Sequence, residues 1–166
     1  STWSDIILVK YYDNGTKQWS NQIGTSSMDT CEGLAIDSND NVYITGYTQG
    51  NLDGETNSGD DDMYLIKYNS SGTKQWTKLL GGVSSGKDII VDSSDNLFIT
   101  GTTSGNLDGN SSSGSIDVFL VKYNNSGTKQ WTKQFGTSSA DYATGIVIDS
   151  AGNTYMGGYT SGSFDG

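Results

Sequence analysis

The sequence contains no histidine, no proline and no arginine; its nine basic residues are all lysine, set against 19 Asp plus Glu for a formal net charge of −10. Each absence closes a class of function. Without histidine there is no Ser-His-Asp or Cys-His nucleophile system and no imidazole zinc site. Without arginine, and at a sequence pI near 4.1, the chain lacks the positive charge with which proteins neutralise phosphates, so no nucleic acid is expected as a partner. An anionic membrane surface is disfavoured for the same reason. No apolar run approaches the length of a spanning helix, so no membrane insertion is expected either. Leu, Ile, Val and Phe make up less than a fifth of the chain, a level at which many chains stay disordered. Ten Tyr and four Trp work against that, because each ring can bury roughly 150–250 Å². The single cysteine, Cys31, permits no internal disulfide and reads as a small apolar filler. The chain starts at Ser1 without Met and shows no secretory leader, as a processed or excised segment would.

What is present is a repeat. Gly-Thr-Lys-Gln-Trp recurs at Gly15–Trp19, Gly72–Trp76 and Gly127–Trp131. An apolar block precedes it each time, at Asp5–Tyr11, Asp62–Tyr68 and Asp117–Tyr123. A second block follows at Leu34–Gly46, Ile89–Gly101 and Ile146–Gly158, and each copy closes on Asp-Gly, at Asp53, Asp108 and Asp165. The units are approximately 1–57, 58–112 and 113–166 within a single segment. The middle copy is two residues short between Gly81 and Asp92.

Each unit reads as four strands. Ile6–Tyr11 is apolar at nearly every position, as a strand buried on both faces would be. A short turn follows, and Lys17–Ile23 then alternates, with Trp19 and Ile23 on one face. Leu34–Asp37 is a short apolar strand, Ser38–Asn41 a tight turn, and Val42–Thr48 is rich in β-branched and aromatic residues. No stretch carries a helical period. The sequons at Asn14, Asn69, Asn110 and Asn124 mostly coincide with these turns, where Asn, Ser and Gly are favoured for backbone reasons. The expected fold is all-β: a β-propeller segment of four-stranded antiparallel blades, three units in this chain.

The pattern Asp-x-Φ-Leu-Val-Lys-Tyr-x-x-x-Gly-Thr-x-x-Trp, followed by Φ-x-Φ-Asp-x-x-x-Asn-x-Tyr-Φ-Thr-Gly, resembles the bacterial SBBP-type β-propeller repeat. Its last block is also similar to the inner hairpin of NHL-type blades. The resemblance implies a circular shift: Leu34–Asp37 innermost in a blade, then Val42–Thr48, Met63–Tyr68 and, outermost, Lys74–Leu80. The chain then begins with two outer strands and ends with two inner ones. It reads either as part of a longer propeller or as a fragment that self-assembles, two chains as a homodimer making a six-bladed ring.

The repeated Trp side chains read as packing between blades. Lys10, Lys67 and Lys122 lie inside apolar strands and need a carboxylate; Asp37, Asp92 and Asp149 are the recurrent candidates. The connections Gly24–Gly33 and Gln49–Asp61 are long and fall on one face, where binding residues concentrate. That face is acidic, and Asp29, Glu32, Asp53, Asp108 and Asp141 are the expected ligand-binding residues. Asn51, Asp53, Asp60 and Asp62 offer hard oxygen ligands around a Gly turn and raise the possibility of Ca²⁺, although the spacing is not that of an EF-hand. The expected function is a non-enzymatic binding or scaffolding module of a secreted or surface bacterial protein, with a protein or glycan ligand. The alternatives are blades that exist to assemble, or a carboxylate-based glycan hydrolase or lyase using Asp37, Asp92 and Asp149. Three matched carboxylate sites argue against the last, because an acid and a base need unlike environments.

Overall fold

The computed structural model describes residues 3–164, which form twelve strands and no helix. They are β1 (Ile6–Tyr11), β2 (Lys17–Ile23), β3 (Asp29–Ile36), β4 (Val42–Thr48), β5 (Asp62–Tyr68), β6 (Lys74–Leu80), β7 (Ser84–Val91), β8 (Leu97–Thr103), β9 (Asp117–Tyr123), β10 (Lys129–Phe135), β11 (Asp141–Ile148) and β12 (Thr154–Thr160). Two complete sheets, β3-β4-β5-β6 and β7-β8-β9-β10, are flanked by the half-sheets β1-β2 and β11-β12. Every pairing is antiparallel. The circular shift expected from the sequence is therefore present: each complete sheet takes its inner pair from one copy and its outer pair from the next.

The sheets stack face to face. Ile6, Leu8, Trp19 and Ile23 of the β1-β2 half-sheet pack against Val42, Ile44, Tyr64, Ile66 and Tyr68. On the other face of that second sheet, Tyr43, Met63, Leu65 and Leu80 pack against Ile89, Leu97, Ile99, Phe119 and Val121 of the third. Strands β4, β5 and β9 are consequently buried along nearly their whole length. β1 departs from the sequence expectation. Ile7 is 70% exposed and Tyr11 59% exposed, because they point away from the second sheet, on the face of the half-sheet that no other sheet covers.

The repeated tryptophans sit between sheets. The ring of Trp19 lies over Gly72 in the β5–β6 turn, where a Cβ would come within 2.7 Å of it; Trp76 lies likewise over Gly127, at 3.2 Å. Both glycines hold φ near +80° (82° and 81°), so any other residue is strained at either, and at Gly72 its Cβ also collides with the ring. Trp19 also donates its Nε1–H to the Ser70 carbonyl at 3.3 Å. The lysines buried in apolar strands make the same crossing. Lys10 and Lys67 donate to the Ser70 and Asn125 carbonyls of the next sheet's turn. The carboxylate partners are those expected, Asp37 for Lys67 at 3.8 Å and Asp92 for Lys122 at 4.0 Å.

Two further features differ from the sequence reading. The innermost strand is longer than Leu34–Asp37: β3 starts at Asp29 and runs through a bulge between Cys31 and Gly33. The polar, Gly-containing stretch hides this strand from a periodicity search, because a bulge breaks the two-residue alternation. Cys31 is exposed on this strand rather than buried as a filler. The shortfall in the middle copy is confined to the connection before β7. There Gly82 and Val83 replace a longer turn, leaving Val83 at φ 54°, a strained value for a β-branched residue.

Candidate functional site

The long connection Gln49–Asp61 folds back instead of projecting as a binding loop. Leu52-Asp53-Gly54-Glu55 forms a turn with positive φ at both central residues, the geometry of a type I′ turn. This inserts Leu52, 1% exposed, into the cluster between the first two sheets; Leu107 does the same, 1% exposed, in the next interface. Asp53 is thereby carried onto the outer strand of its own sheet, where it accepts from Lys74 and Thr77. Asp108 repeats the arrangement with Lys129 and Thr132. Burial works to raise the Asp53 pKa, and the bonds from Lys74 and Thr77 overcome it and hold the carboxyl below its ordinary value.

Asp29 and Asp141 are also structural. Asp29 is 1% exposed and accepts from the Thr25 N–H and hydroxyl and from the Thr48 hydroxyl. Asp141, 2% exposed, accepts from Thr137 in the same way. Each closes the turn that leads into an inner strand, so its oxygens are already occupied by protein donors. Among the expected ligand-binding residues, Asp29, Asp53, Asp108 and Asp141 thus serve the scaffold, and Glu32 lines the inner-strand cleft described below.

The four residues considered for Ca²⁺ are not brought together. Asn51 accepts from the Asn57 N–H, Asp53 faces Lys74, and Asp62, 0% exposed, accepts from the Ser58 N–H and hydroxyl. Asp60 is exposed. Among the described residues no three acidic or cysteine side chains converge in a metal-binding group.

The carboxylates weighed for hydrolysis have a local task. Asp37 accepts from the Asn39 and Asn41 N–H groups, the Asn41 side chain and the Tyr43 hydroxyl, caging the β3–β4 turn. Asp92 does so with Ser94 and Asn96, and Asp149 with Ala151, Asn153 and Tyr155. The Asp-x-x-x-Asn-x-Tyr spacing is the sequence trace of this cage. Burial tends to raise the Asp37 pKa, but the Asn41, Asn39 and Tyr43 donors together bring it below the usual value. At Asp149 the Asn153 donors hold it down to about 2. Carboxylates pinned in the charged form are poor general acids.

The open site lies along the inner strands. β7 runs beside both β3 and β11, and each carries a bulge at the same place, at Glu32, Lys87 and Thr144. Successive bulges meet across the sheets: Lys87 Nζ lies 3.3 Å from Glu32, and the Ile146 N–H donates to Asp88 at 3.0 Å. Together with Tyr47, Asp61, Ser85, Thr102, Tyr142 and Tyr159, the three bulge residues line a cleft of 670 Å³. Tyr142 and Tyr159 stack there with ring centres 4.8 Å apart. The cleft offers carboxylates, one ammonium, hydroxyls and aromatic faces, and no nucleophile paired with a base.

The SBBP family model, a beta-propeller repeat, matches residues 18–53, 75–108 and 130–165. The chain belongs to the SBBP beta-propeller repeat family. Among curated proteins, an uncharacterized WD repeat-containing protein of Acanthamoeba polyphaga mimivirus is 28% identical over 87% of this chain and 13% of its own length. Regulatory protein FlaEY of Caulobacter vibrioides is 29% identical over 75% of this chain and 15% of its own. The SBBP chain therefore spans only a small part of either relative. Among solved structures, a protein of unknown function from Bacteroides caccae aligns with TM-score 0.56 at 11% identity, over 87% of this chain and 43% of that one. That likeness speaks to the fold alone. With the sheets, it makes the units blades of a β-propeller type.

Sequence reasoning missed Lys87, Tyr142, Thr144 and Tyr159 of the SBBP cleft. A signal was available. At positions where the rest of the repeat agrees, the copies read Thr30, Ser85 and Tyr142, then Glu32, Lys87 and Thr144, then Tyr47, Thr102 and Tyr159. Divergence among near-identical copies marks residues the scaffold does not dictate.

Proposed function

We propose that this SBBP segment is a non-enzymatic binding module of a secreted or surface-attached bacterial protein, and that it holds a protein ligand in the inner-strand cleft. One observation carries the reading: the bulge residues of three copies, unlike in chemistry, converge on one cleft of 670 Å³. A rigid repeat scaffold whose copies differ there is suited to recognition. Glu32 and Asp61, the tyrosine pair and the net charge of −10 favour a peptide segment carrying a lysine or arginine beside an apolar residue. Polar richness in Asn, Gly, Ser, Thr and Tyr supports an extracellular setting.

Selection of a displayed peptide library on the protein tests this. Basic peptides are expected to be enriched, and Glu32→Gln with Asp61→Asn is expected to abolish their capture. A blank selection, or capture that survives those substitutions and Tyr142→Ala, would overturn the cleft; binding on a parallel glycan array alone would replace the protein ligand with a sugar. The unpaired edges of β1 and β12 favour a second reading beside it, blades that assemble as a homodimer into a six-bladed ring.

A further inference from the structure

Beside the inner-strand cleft lies a smaller pocket of 160 Å³ in the middle of the chain, and the copies show why it is there. Ser85 and Thr102 stand directly opposite each other on β7 and β8. Their counterparts are Thr30 opposite Tyr47 and the stacked pair of Tyr142 and Tyr159. Two small hydroxyl side chains thus leave a space that the two rings of the third copy would fill. The shortened connection before β7 contributes Val83 to the lining. It also puts Ser84 at the position from which Asp29 and Asp141 close the longer turns. A third departure supplies the charge. The residue whose carbonyl receives the first N–H of the inner strand is Ser4, Asp61 and Ile116 in turn, so the middle copy alone has a carboxylate there.

We infer that this pocket takes the ammonium of a lysine side chain, with Asp61, Ser85 and Thr102 as its acceptors, and that it selects lysine over arginine. The inference rests on the peptide-binding reading above and assigns the basic residue of that ligand to one place. Asp61, Ser85 and Thr102 line the pocket and the cleft alike, so a stem seated in the one continues into a peptide lying in the other.

The acceptors left open match an ammonium. Glu32, the other carboxylate of the cleft, already faces Lys87 at 3.3 Å. Asp61 has no lysine partner among the described residues and accepts, through Oδ1, from the Gln49 side chain at 2.9 Å. The Ser85 hydroxyl is buried and has no hydrogen-bond partner among the described residues, a costly state unless a ligand or water meets it. An ammonium carries three donors on one nitrogen, which the second Asp61 oxygen, Ser85 and Thr102 can accept. Val83 and Ile116 line the same pocket and give the apolar stem a surface to cover. The volume of 160 Å³ equals that of about five waters at roughly 30 Å³ each, close to the four carbons and one nitrogen of a lysine side chain. A guanidinium is a planar fork that binds best to both oxygens of a carboxylate. With Oδ1 of Asp61 taken by Gln49, that mode is closed.

Amide NMR spectra of the isotope-labelled chain, titrated with Nα-acetyl-lysine methylamide, test the pocket without a peptide. Binding in the millimolar range is expected, as suits one side chain, with shifts centred on the amides of Asp61, Ser85 and Thr102. Asp61→Asn keeps an acceptor for Gln49 but removes the charge, and is expected to weaken the probe at least about tenfold. Ser85→Tyr with Thr102→Tyr installs the pair that the third copy already holds and is expected to erase the shifts. Glu32→Gln is expected to leave them unchanged. The arginine analogue and Nε-acetylated lysine are expected to bind at least about tenfold more weakly. No shift at tens of millimolar probe, equal binding of the arginine analogue, or loss with Glu32→Gln but not with Asp61→Asn overturns the pocket. Butylamine or a diamine binding more tightly than the lysine probe overturns the assignment to a peptide side chain. A blank peptide selection beside an intact response to the probe overturns the cleft reading while the ammonium site stands.

Discussion

Alanine placed at two glycines of the same turn geometry separates backbone strain from packing between blades. Gly15 and Gly72 occupy equivalent hairpin positions at φ 81° and 82°. Alanine at either must hold a left-handed conformation, at a cost of roughly 1–2 kcal/mol. Around Gly15 nothing else is added, because no atom lies within 4 Å of the new Cβ. At Gly72 the Cβ would stand 2.7 Å from the Trp19 ring. That ring is not free to slide: its N–H is bonded to Ser70, and it packs against the buried cluster between the first two sheets. Overpacking of this kind adds roughly 1–3 kcal/mol. Gly72→Ala is thus expected to lose about 2–5 kcal/mol and Gly15→Ala about 1–2 kcal/mol.

Urea unfolding followed by tryptophan fluorescence, at concentrations where the chain is a monomer, measures the difference. Only Gly72→Ala should shift the emission of the folded state to longer wavelength, since it unseats a ring. Equal losses at the two sites would refute the idea that the repeated Trp is held by the next blade's turn.

Acidification provides a test of the turn cages. Asp37, Asp92 and Asp149 have folded-state pKa values below the ordinary carboxylate value, Asp149 at about 2. Their stabilisation is therefore fully present above the unfolded-state value of about 4 and is lost as pH falls through the folded-state values. Urea midpoints measured from neutral pH downward should stay level to about pH 5 and then drop toward pH 2, with a shallower drop in Asp37→Asn; a midpoint that rises on acidification would contradict the cages. Leucine truncation tests the folded-back loop. Leu107→Ala, at a fully buried position, should cost about 2–5 kcal/mol, and Leu34→Ala, 60% exposed in the single chain, should cost under about 1 kcal/mol by thermal or urea unfolding. Similar costs for the two would mean that the Asn-Leu-Asp-Gly loop is not part of the core.

The strand layout was legible because antiparallel strands leave local marks: alternation at Lys17–Ile23, continuous apolar character at Met63–Tyr68, and Asn-x-x-Gly or Asp-x-x-x-Asn turns between them. The circular shift came with the family resemblance that the repeated motifs carry. The recurrent acids near the strand lysines were visible as candidates, but which lysine meets which aspartate depends on strand pairing and came from the structure. The acids of the candidate site were misread for a common reason. Composition shows that Asp29, Asp53, Asp108 and Asp141 lie in connections, but not that each has a Thr or Lys donor a few residues or one strand away. A carboxylate with its hydrogen bonds met inside the protein looks the same in sequence as one awaiting a ligand. Leu52 and Leu107 were the available warning, since a leucine at the same place in two acidic loops is better explained by burial than by binding.

Repetition and divergence divide the labour of this chain. What all copies share is committed to holding a blade together or joining it to the next: the Trp of the outer strand, the Lys inside the apolar strand and the Asp that cages the inner turn. Such residues cannot discriminate a ligand, because each appears in every blade with the same environment. Among the residues the copies do not share, Glu32, Lys87 and Thr144 hold one structural position at the inner-strand bulges. A bulge residue is exempt from the ladder's packing demands, so it is free to vary without loss of fold.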